Sequence, residues 1–291
     1  MYQPFELSKN PEGTSRTITT KDNCRIYTLS AGEGPVSVLL AHGYGFALKE
    51  WNIIMPQLVN KGYQVVAFDQ RGHGQSTIGE DGVTSLTMAK DYAAVIEAYE
   101  LQSCIIVGHS MGGFLTMRFL LAFPELQNTV VKAAVLMATF AGDVYRKNFQ
   151  NRIQIPLIKS GILQRLIKIK AIGNAFGKTL VGSNPDPELI RMIPEIFNQQ
   201  DHKPLIPILA AFGDENYYDQ LDQIKIPCKI IVGDKDKTTP PFHTDDLARF
   251  IPNNTRIDVP NKGHCLNAES PEVIIEAVEA LAKELLKQPM S

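Results

Sequence analysis

Ser110 stands in a sequence setting suited to nucleophilic chemistry. It is the central residue of the pentapeptide G-H-S-M-G at 108–112, between an apolar run at 104–107 and an amphipathic run at 114–122. The pattern G-x-S-x-G on a tight strand-to-helix turn needs small residues beside the serine, which explains the two glycines. Such a turn also places the serine at a helix N-terminus, where the helix dipole favours developing negative charge.

Nucleophilic serine chemistry also needs a base and an acid. A serine hydroxyl is a weak nucleophile until a base takes its proton, and a third group orients that base. His264 follows a predicted strand through the polar turn P-N-K-G and suits the role of base, whereas His243 lies early, in front of a predicted helix. Two carboxylates, Asp234 and Asp236, follow the preceding predicted strand and are the candidates for the acid.

Two backbone amides are candidates for stabilising the negative oxygen that forms during such a reaction. Residues 42–45 read H-G-Y-G directly after an apolar run. Glycines let the backbone approach a substrate closely, so we expect the N–H groups of Tyr44 and Met111 to form an oxyanion hole. The motif D-Q-R-G-H-G-Q-S at 69–76 is expected to form a tight structural loop beside the site. The histidines of these motifs are interpreted as structural: His42, His73 and His109.

The elements that must position these residues alternate along the chain. Short β-branched runs followed by longer helical patterns predict βαβ units and a mostly parallel sheet flanked by helices. Strands are predicted at 25–29, 36–41, 64–68, 104–107, 133–137, 229–232 and 255–259. Helices are predicted at 49–60, 86–100, 111–122, 245–250 and 271–287.

The alternation breaks once, between the predicted strands that end at 137 and begin at 229. Helical runs at 157–172 and 189–197 occur there, separated by prolines 185, 187, 194, 204 and 207. We therefore predict a helical cap at 141–225, inserted into a core domain made of 1–140 and 226–291. Between Asp143 and Asp186 this cap has basic residues and no acidic one. A solvated basic face explains this simply; the alternative is a lid that meets an anionic or lipid-like substrate or a membrane surface.

Composition excludes several classes of function. The 291 residues contain 29 basic and 31 acidic residues, so the basic signature of a nucleic-acid binder is absent and a small-molecule substrate is expected. No apolar run is long enough for a signal peptide or a membrane span, which predicts a cytoplasmic protein. The four cysteines form no CxxC pair and are expected to be buried free thiols: Cys24, Cys104, Cys228 and Cys265.

The motifs together resemble the α/β-hydrolase superfamily. H-G-Y-G, D-Q-R-G-H-G-Q-S, G-H-S-M-G-G, G-D-K-D and K-G-H-C occur in this order and cover nearly the whole chain outside the cap. Within this superfamily the sequence resembles the capped carboxylesterases, the cofactor-free haloperoxidase/perhydrolase-like esterases and the carbon–carbon bond hydrolases. Trp51 matches a tryptophan often found in the esterase and perhydrolase branches. The resemblance implies the α/β-hydrolase fold. It also selects Asp236 as the acid of the triad, because G-x-x-D spacing from Gly233 is typical of that fold.

The expected activity is hydrolysis of a small-molecule carboxylic ester through an acyl-enzyme on Ser110. No metal or organic cofactor is required by this chemistry. Carbon–carbon bond hydrolysis and acyl transfer to hydrogen peroxide use the same triad and remain alternatives. A ligand receptor with slow turnover on the same scaffold is a further alternative. Branches of the superfamily with an aspartate nucleophile are disfavoured because residue 110 is serine.

Overall fold

The computed structural model describes residues 9–287 and is built on one eight-stranded sheet. Residues 1–8, part of the stretch in which no signal peptide is predicted, lie outside the described residues. The strands are β1 (Thr14–Thr19), β2 (Arg25–Ala31), β3 (Ser37–Ala41), β4 (Gln64–Phe68), β5 (Cys104–His109), β6 (Val131–Met137), β7 (Cys228–Gly233) and β8 (Asn254–Val259). Their order across the sheet is β1-β2-β4-β3-β5-β6-β7-β8.

The sheet is mostly parallel and is buried on both faces. β2 pairs antiparallel with β1 and β4, whereas every pairing from β4 to β8 is parallel. All six residues of β5 are buried. Ile106 belongs to one hydrophobic cluster, and Ile105 and Val107 belong to a second. Successive strand residues point to opposite faces, so each face has its own core, which confirms the predicted fold class.

Helices cover both faces of the sheet. They are α1 (Ile54–Asn60), α2 (Ser85–Ala98), α3 (Met111–Ala122), α4 (Phe149–Lys159), α5 (Ile162–Leu166), α6 (Lys170–Thr179), α7 (Pro187–Phe197), α8 (Ile206–Asp214), α9 (Pro241–Phe250), α10 (Leu266–Glu269) and α11 (Pro271–Lys287). Tyr92 of α2 and Phe119 of α3 pack in one core, and Leu58 of α1 and Val278 of α11 pack in the other. Among the described residues, no helix is both long and apolar enough to cross a membrane.

Helices α4 to α8 lie between β6 and β7, where the sequence predicts the cap. The division into a core domain and a cap stays a prediction. The single helical run predicted at 157–172 is wrong: α4, α5 and α6 divide that region. Gly161 separates α4 from α5, because its backbone is left-handed with φ +73°. Ile169 separates α5 from α6, because its backbone is extended with ψ 114°. Proline 194 lies inside α7 and therefore separates no helices.

The loops that carry the predicted chemistry meet because of the strand order. β3 lies between β4 and β5, so the sequence order of the strands reverses at this point of the sheet. The carboxyl ends of β3 and β5 are neighbours, since Ala41 pairs with Gly108. In open parallel sheets this is the position where ligands bind. The H-G-Y-G turn after β3 and the Ser110 turn after β5 therefore come together.

Candidate active site

Ser110 occupies a strained turn between β5 and α3. Its backbone has φ 52° and ψ −113°, a conformation that L-residues rarely adopt. A Cβ atom at Gly108 would lie 2.6 Å from the Gly112 carbonyl oxygen, and one at Gly112 would lie 2.1 Å from the Ala41 carbonyl oxygen. Only glycine fits at either position. Strain of this kind persists where the surrounding structure enforces it, which is common at functional sites.

Hydrogen bonds on both sides of Ser110 hold this conformation. The Ser110 N–H donates to the Met137 carbonyl at 2.9 Å. The Thr139 hydroxyl donates to the Ser110 carbonyl at 2.6 Å. With its backbone fixed to β6 and the residues after it, Ser110 lines a cavity together with His264.

His264 and Asp236 are in direct contact. The Nδ1–H of His264 donates to Oδ2 of Asp236 at 2.9 Å. Thr239 supports the same carboxylate, because its hydroxyl donates to Oδ2 at 2.8 Å and its N–H donates to Oδ1 at 2.9 Å. Burial alone raises the pKa of Asp236, but the charge of His264 and these hydrogen bonds outweigh it and lower the pKa. Asp236 therefore stays ionised at neutral pH.

The alternative acid, Asp234, lies elsewhere. Its Oδ1 accepts a hydrogen bond from the Asn261 N–H at 2.6 Å, and its other oxygen is 3.3 Å from the Lys235 ammonium. Asp234 is exposed, whereas Asp236 is 3% exposed. The structure thus brings Asp236, and not Asp234, to His264.

The cavity that Ser110 and His264 share is narrow and mainly apolar. Its volume is about 90 Å³. Within residues 9–287 no hydrogen bond joins the Ser110 hydroxyl to His264. Such bonds often tighten only when substrate is bound. The helical segment supplies much of the apolar wall: Ile155, Ile158, Phe176, Phe197, Leu209 and Phe212.

The two predicted oxyanion donors are free. In the part of the chain that the structure describes, the N–H groups of Tyr44 and Met111 donate to no protein acceptor. Tyr44 lines the cavity, and Met111 is the first residue of α3. The N–H of Gly43 donates to Oε1 of Glu50 at 3.2 Å, which fixes the turn. Two unpaired amides on these loops can stabilise an oxyanion.

Sequence reasoning missed Glu50, a fully buried carboxylate below the site. Oε1 of Glu50 lies 3.2 Å from Nδ1 of His109, and Nε2 of His109 lies 3.0 Å from the His264 carbonyl oxygen. The side-chain amide of Asn267 donates to the Glu50 carbonyl at 3.0 Å. Burial lowers the pKa of His109, but the charge of Glu50 and the hydrogen bonds to Glu50 and to the His264 carbonyl together outweigh burial and raise the pKa. Both ring nitrogens face acceptors, so His109 links Glu50 to the His264 loop.

Tyr44 connects the oxyanion turn to the helical segment. Its hydroxyl donates to Nδ1 of His202 at 2.9 Å, and Nε2–H of His202 donates to the Phe197 carbonyl at 2.8 Å. Burial lowers the pKa of His202, which favours the neutral ring that this arrangement requires. A Cβ at Gly45 would lie 2.5 Å from the Phe197 ring. The turn and the end of α7 are therefore closely fitted.

The remaining predicted residues have structural contacts. Nε2 of His42 accepts a hydrogen bond from the Gln70 N–H at 2.9 Å. The Asp69 carboxylate accepts hydrogen bonds from the N–H groups of Leu48 and Gln75, both at 2.8 Å. Asp69 and Gln75 belong to the loop that the sequence predicts at 69–76. His73 and Trp51 are buried. All four cysteines are buried and free, as predicted.

Comparison with known proteins identifies similar chains. A family model described as the alpha/beta hydrolase family matches residues 38–277. A non-heme chloroperoxidase of Burkholderia pyrrocinia is 27% identical over 77% of this chain and 83% of its own. A bifunctional esterase/perhydrolase of Acinetobacter calcoaceticus is 26% identical over 88% of this chain and 95% of its own. The structure of an esterase from Exiguobacterium antarcticum matches with a TM-score of 0.80 at 21% identity, covering 93% of this chain and 100% of that chain.

Proposed function

This chain belongs to the alpha/beta hydrolase family, and from that premise we propose that it cleaves a small-molecule carboxylic ester with a Ser110–His264–Asp236 triad. One observation carries the proposal. The His264–Asp236 pair and the strained Ser110 turn converge on one apolar cavity. The free amides of Tyr44 and Met111 on the adjoining loops support it.

In the proposed reaction, the Ser110 hydroxyl oxygen attacks the acyl carbonyl carbon while Nε2 of His264 takes its proton. The carbonyl oxygen becomes negative and accepts hydrogen bonds from the Tyr44 and Met111 N–H groups. His264 then gives the proton to the leaving alkoxide, and the acyl group stays on Ser110. Water repeats the attack with His264 as base, releasing the carboxylic acid. The steps require no metal or organic cofactor.

The helical segment at 141–225 acts as a cap in this proposal. Its apolar side chains line the cavity together with Ser110 and His264, so an apolar acyl group would lie against them. An apolar wall excludes water and strengthens the electrostatic interactions of the site. Cytoplasmic location stays a prediction from the sequence.

The test is turnover of p-nitrophenyl esters of rising chain length by the wild-type chain and four variants. Ser110→Ala and His264→Ala should each lower kcat/KM at least about 10³-fold, because triad members act as a unit. Asp236→Asn should be similarly severe. Asp234→Asn is the matched control and should be mild. Retained activity in Ser110→Ala would contradict the proposed nucleophile. A severe loss of activity in Asp234→Asn would mean that Asp234 is the acid of the triad.

Acyl transfer to hydrogen peroxide is the second candidate, and the similarity to an esterase/perhydrolase favours it. Peroxide would replace water as the attacking nucleophile in the second step, yielding a peracid in place of the acid. An assay with an ester or acetate and hydrogen peroxide measures this. Peracid formation that disappears in Ser110→Ala would establish that the same site performs both reactions.

A further inference from the structure

The outer surface of α4, α5 and α6 combines basic and apolar side chains. From residue 144 to residue 185 the chain has eight basic residues and no acidic one, although its formal net charge is −2. The basic residues are Arg146, Lys147, Arg152, Lys159, Arg165, Lys168, Lys170 and Lys178. A strongly positive stretch in a nearly neutral chain is a local feature that nearby carboxylates could neutralise.

Most of these cations have no carboxylate partner. Arg146 pairs with Asp246 and lies over the Phe242 ring. Among residues 9–287, the other seven basic side chains form no ion pair. All of them except Lys159 are exposed. Their charge is therefore available to a partner outside the chain.

Large apolar side chains are exposed in the same stretch. Of the seven such side chains exposed among residues 9–287, five lie there: Phe149, Ile153, Ile162, Ile169 and Ile172. Phe149 is 78% exposed and Ile169 is 55% exposed. Single exposed apolar residues are normal on protein surfaces, whereas large exposed apolar patches are typical of interaction sites. A purely solvated basic face does not explain this concentration.

Helix α4 is apolar on two opposite faces. Ile155 and Ile158 are buried and line the active-site cavity. Phe149 and Ile153, one helical turn apart, are exposed. A helix with apolar residues on two opposite faces is typical of a helix that packs between two apolar neighbours. The cavity wall and its surroundings are one neighbour, and no residue among 9–287 covers Phe149 or Ile153 on the other face.

We propose that these five apolar and seven unpaired basic side chains form a docking face for an anionic lipid surface. Lysines and arginines are attracted to anionic headgroups, while Phe and Ile side chains enter the boundary between headgroups and acyl chains. Protein interfaces favour aromatic residues and are depleted in lysine. This face has five lysines and a single aromatic side chain. Its composition therefore fits lipid better than an acidic protein, and docking does not depend on which bond the enzyme cleaves.

The first test is co-sedimentation of the whole chain with vesicles. The chain should bind phosphatidylcholine vesicles that contain phosphatidylglycerol and should bind pure phosphatidylcholine vesicles weakly. Binding should weaken as salt is added, because the screening length for exposed charges is ~8 Å at physiological ionic strength and shortens further at higher salt. Replacing four basic residues of the face with Gln should weaken binding at least about tenfold: Lys159, Arg165, Lys168 and Lys170. The matched control removes four positive charges elsewhere and should keep binding: Lys90, Lys225, Lys229 and Lys283 to Gln.

The second test removes apolar side chains. Phe149→Ser with Ile153→Ser should also weaken binding at least about tenfold, whereas Leu86→Ser with Leu286→Ser, exposed apolar residues outside the face, should not. Unchanged melting temperatures show that the variants fold. Equal binding to neutral and anionic vesicles, or full binding by either face variant, would overturn the proposal. So would a lipid-free oligomer that the face variants dissociate, because the face would then join copies of the chain.

Discussion

The buried Glu50 carboxylate contacts two of the turns that form the candidate site and reaches a third through His109. It holds Gly43 in the oxyanion turn and His109 in the serine turn, and His109 in turn holds the His264 carbonyl. Neutralising it should let the three loops shift relative to one another. Displacements of about 1 Å cost on the order of 10²-fold in rate, so loops held by fixed charges matter to turnover.

Glu50→Gln should therefore lower kcat for a short ester about tenfold to hundredfold while changing KM much less. The variant should also lower the pKa of His109, because the carboxylate charge that raises it is gone. Steady-state kinetics and imidazole N–H signals in proton NMR measure the two effects. Glu97→Gln, an exposed carboxylate, is the control. An unchanged kcat, or an unchanged His109 signal, would show that Glu50 does not position the site.

The sequence offered Ser110 and His264 as candidates because each follows a predicted strand in a glycine-containing turn, whereas only the family resemblance favoured Asp236 over Asp234 as the acid. Glu50 gave no such signal. It belongs to the helical pattern predicted at 49–60, where a charged side chain usually faces water, and its partner His109 is 59 residues away. Thr239 could have been found, since residues 238 and 239 lie two and three positions after Asp236 and offer hydrogen-bond donors to its carboxylate.

At the scale of elements, the helices over the site should set which acyl groups fit. Phe176 of α6 lines the cavity, so Phe176→Ala should enlarge it and shift the preferred p-nitrophenyl ester to a longer acyl chain. Phe149→Ala on α4 is the control, because that ring is exposed and does not line the cavity. The measurement is kcat/KM against chain length. The same optimum in wild type and Phe176→Ala would mean that α6 does not limit the acyl group.

The strands and helices were predictable where the pattern was strong. Strand β4 and helices α3 and α11 occur with the predicted bounds, because continuous apolar runs and helical spacing mark buried elements clearly. Strand β1 was not predicted, since five of its six residues are exposed and its sequence is polar. The predicted helix at 49–60 begins as a separate 3-10 turn at Leu48–Trp51. Its position depends on the contact of Leu48 with Asp69, which no local pattern encodes.

At the scale of the whole molecule, a buried histidine links stability to pH. His243 of α9 accepts a hydrogen bond from the Tyr218 hydroxyl at 2.7 Å, and among the described residues its Nε2 has no partner. Burial, with the nearby Arg146 charge, lowers its pKa to about 4. Below about pH 6.5 the His243 side chain becomes protonated in the unfolded chain but stays neutral in the folded chain. The free energy of unfolding therefore falls with pH until about pH 4, where the folded chain also takes up the proton.

His243→Asn should reduce this pH dependence. Between about pH 7 and about pH 5, the decrease in the free energy of unfolding, measured in urea, should be about 2 kcal/mol smaller in His243→Asn than in wild type. The asparagine oxygen can still accept from Tyr218, which limits the structural change. Tyr218→Phe keeps the imidazole and should retain the wild-type dependence. Identical pH dependence in wild type and His243→Asn would mean that this histidine does not couple protonation to folding.

The four buried thiols have a practical consequence. Burial raises the pKa of Cys24 to about 11 and that of Cys104 and Cys228 to about 12, and it also raises the pKa of Cys265 well above its ordinary value. The thiolate is the reactive form, so maleimide reagents should leave the folded native chain almost unlabelled. One cysteine introduced on the surface would then take up nearly all of a fluorophore without removal of the native ones. Phe149→Cys, at a side chain that is 78% exposed, gives such an attachment point for an environment-sensitive dye.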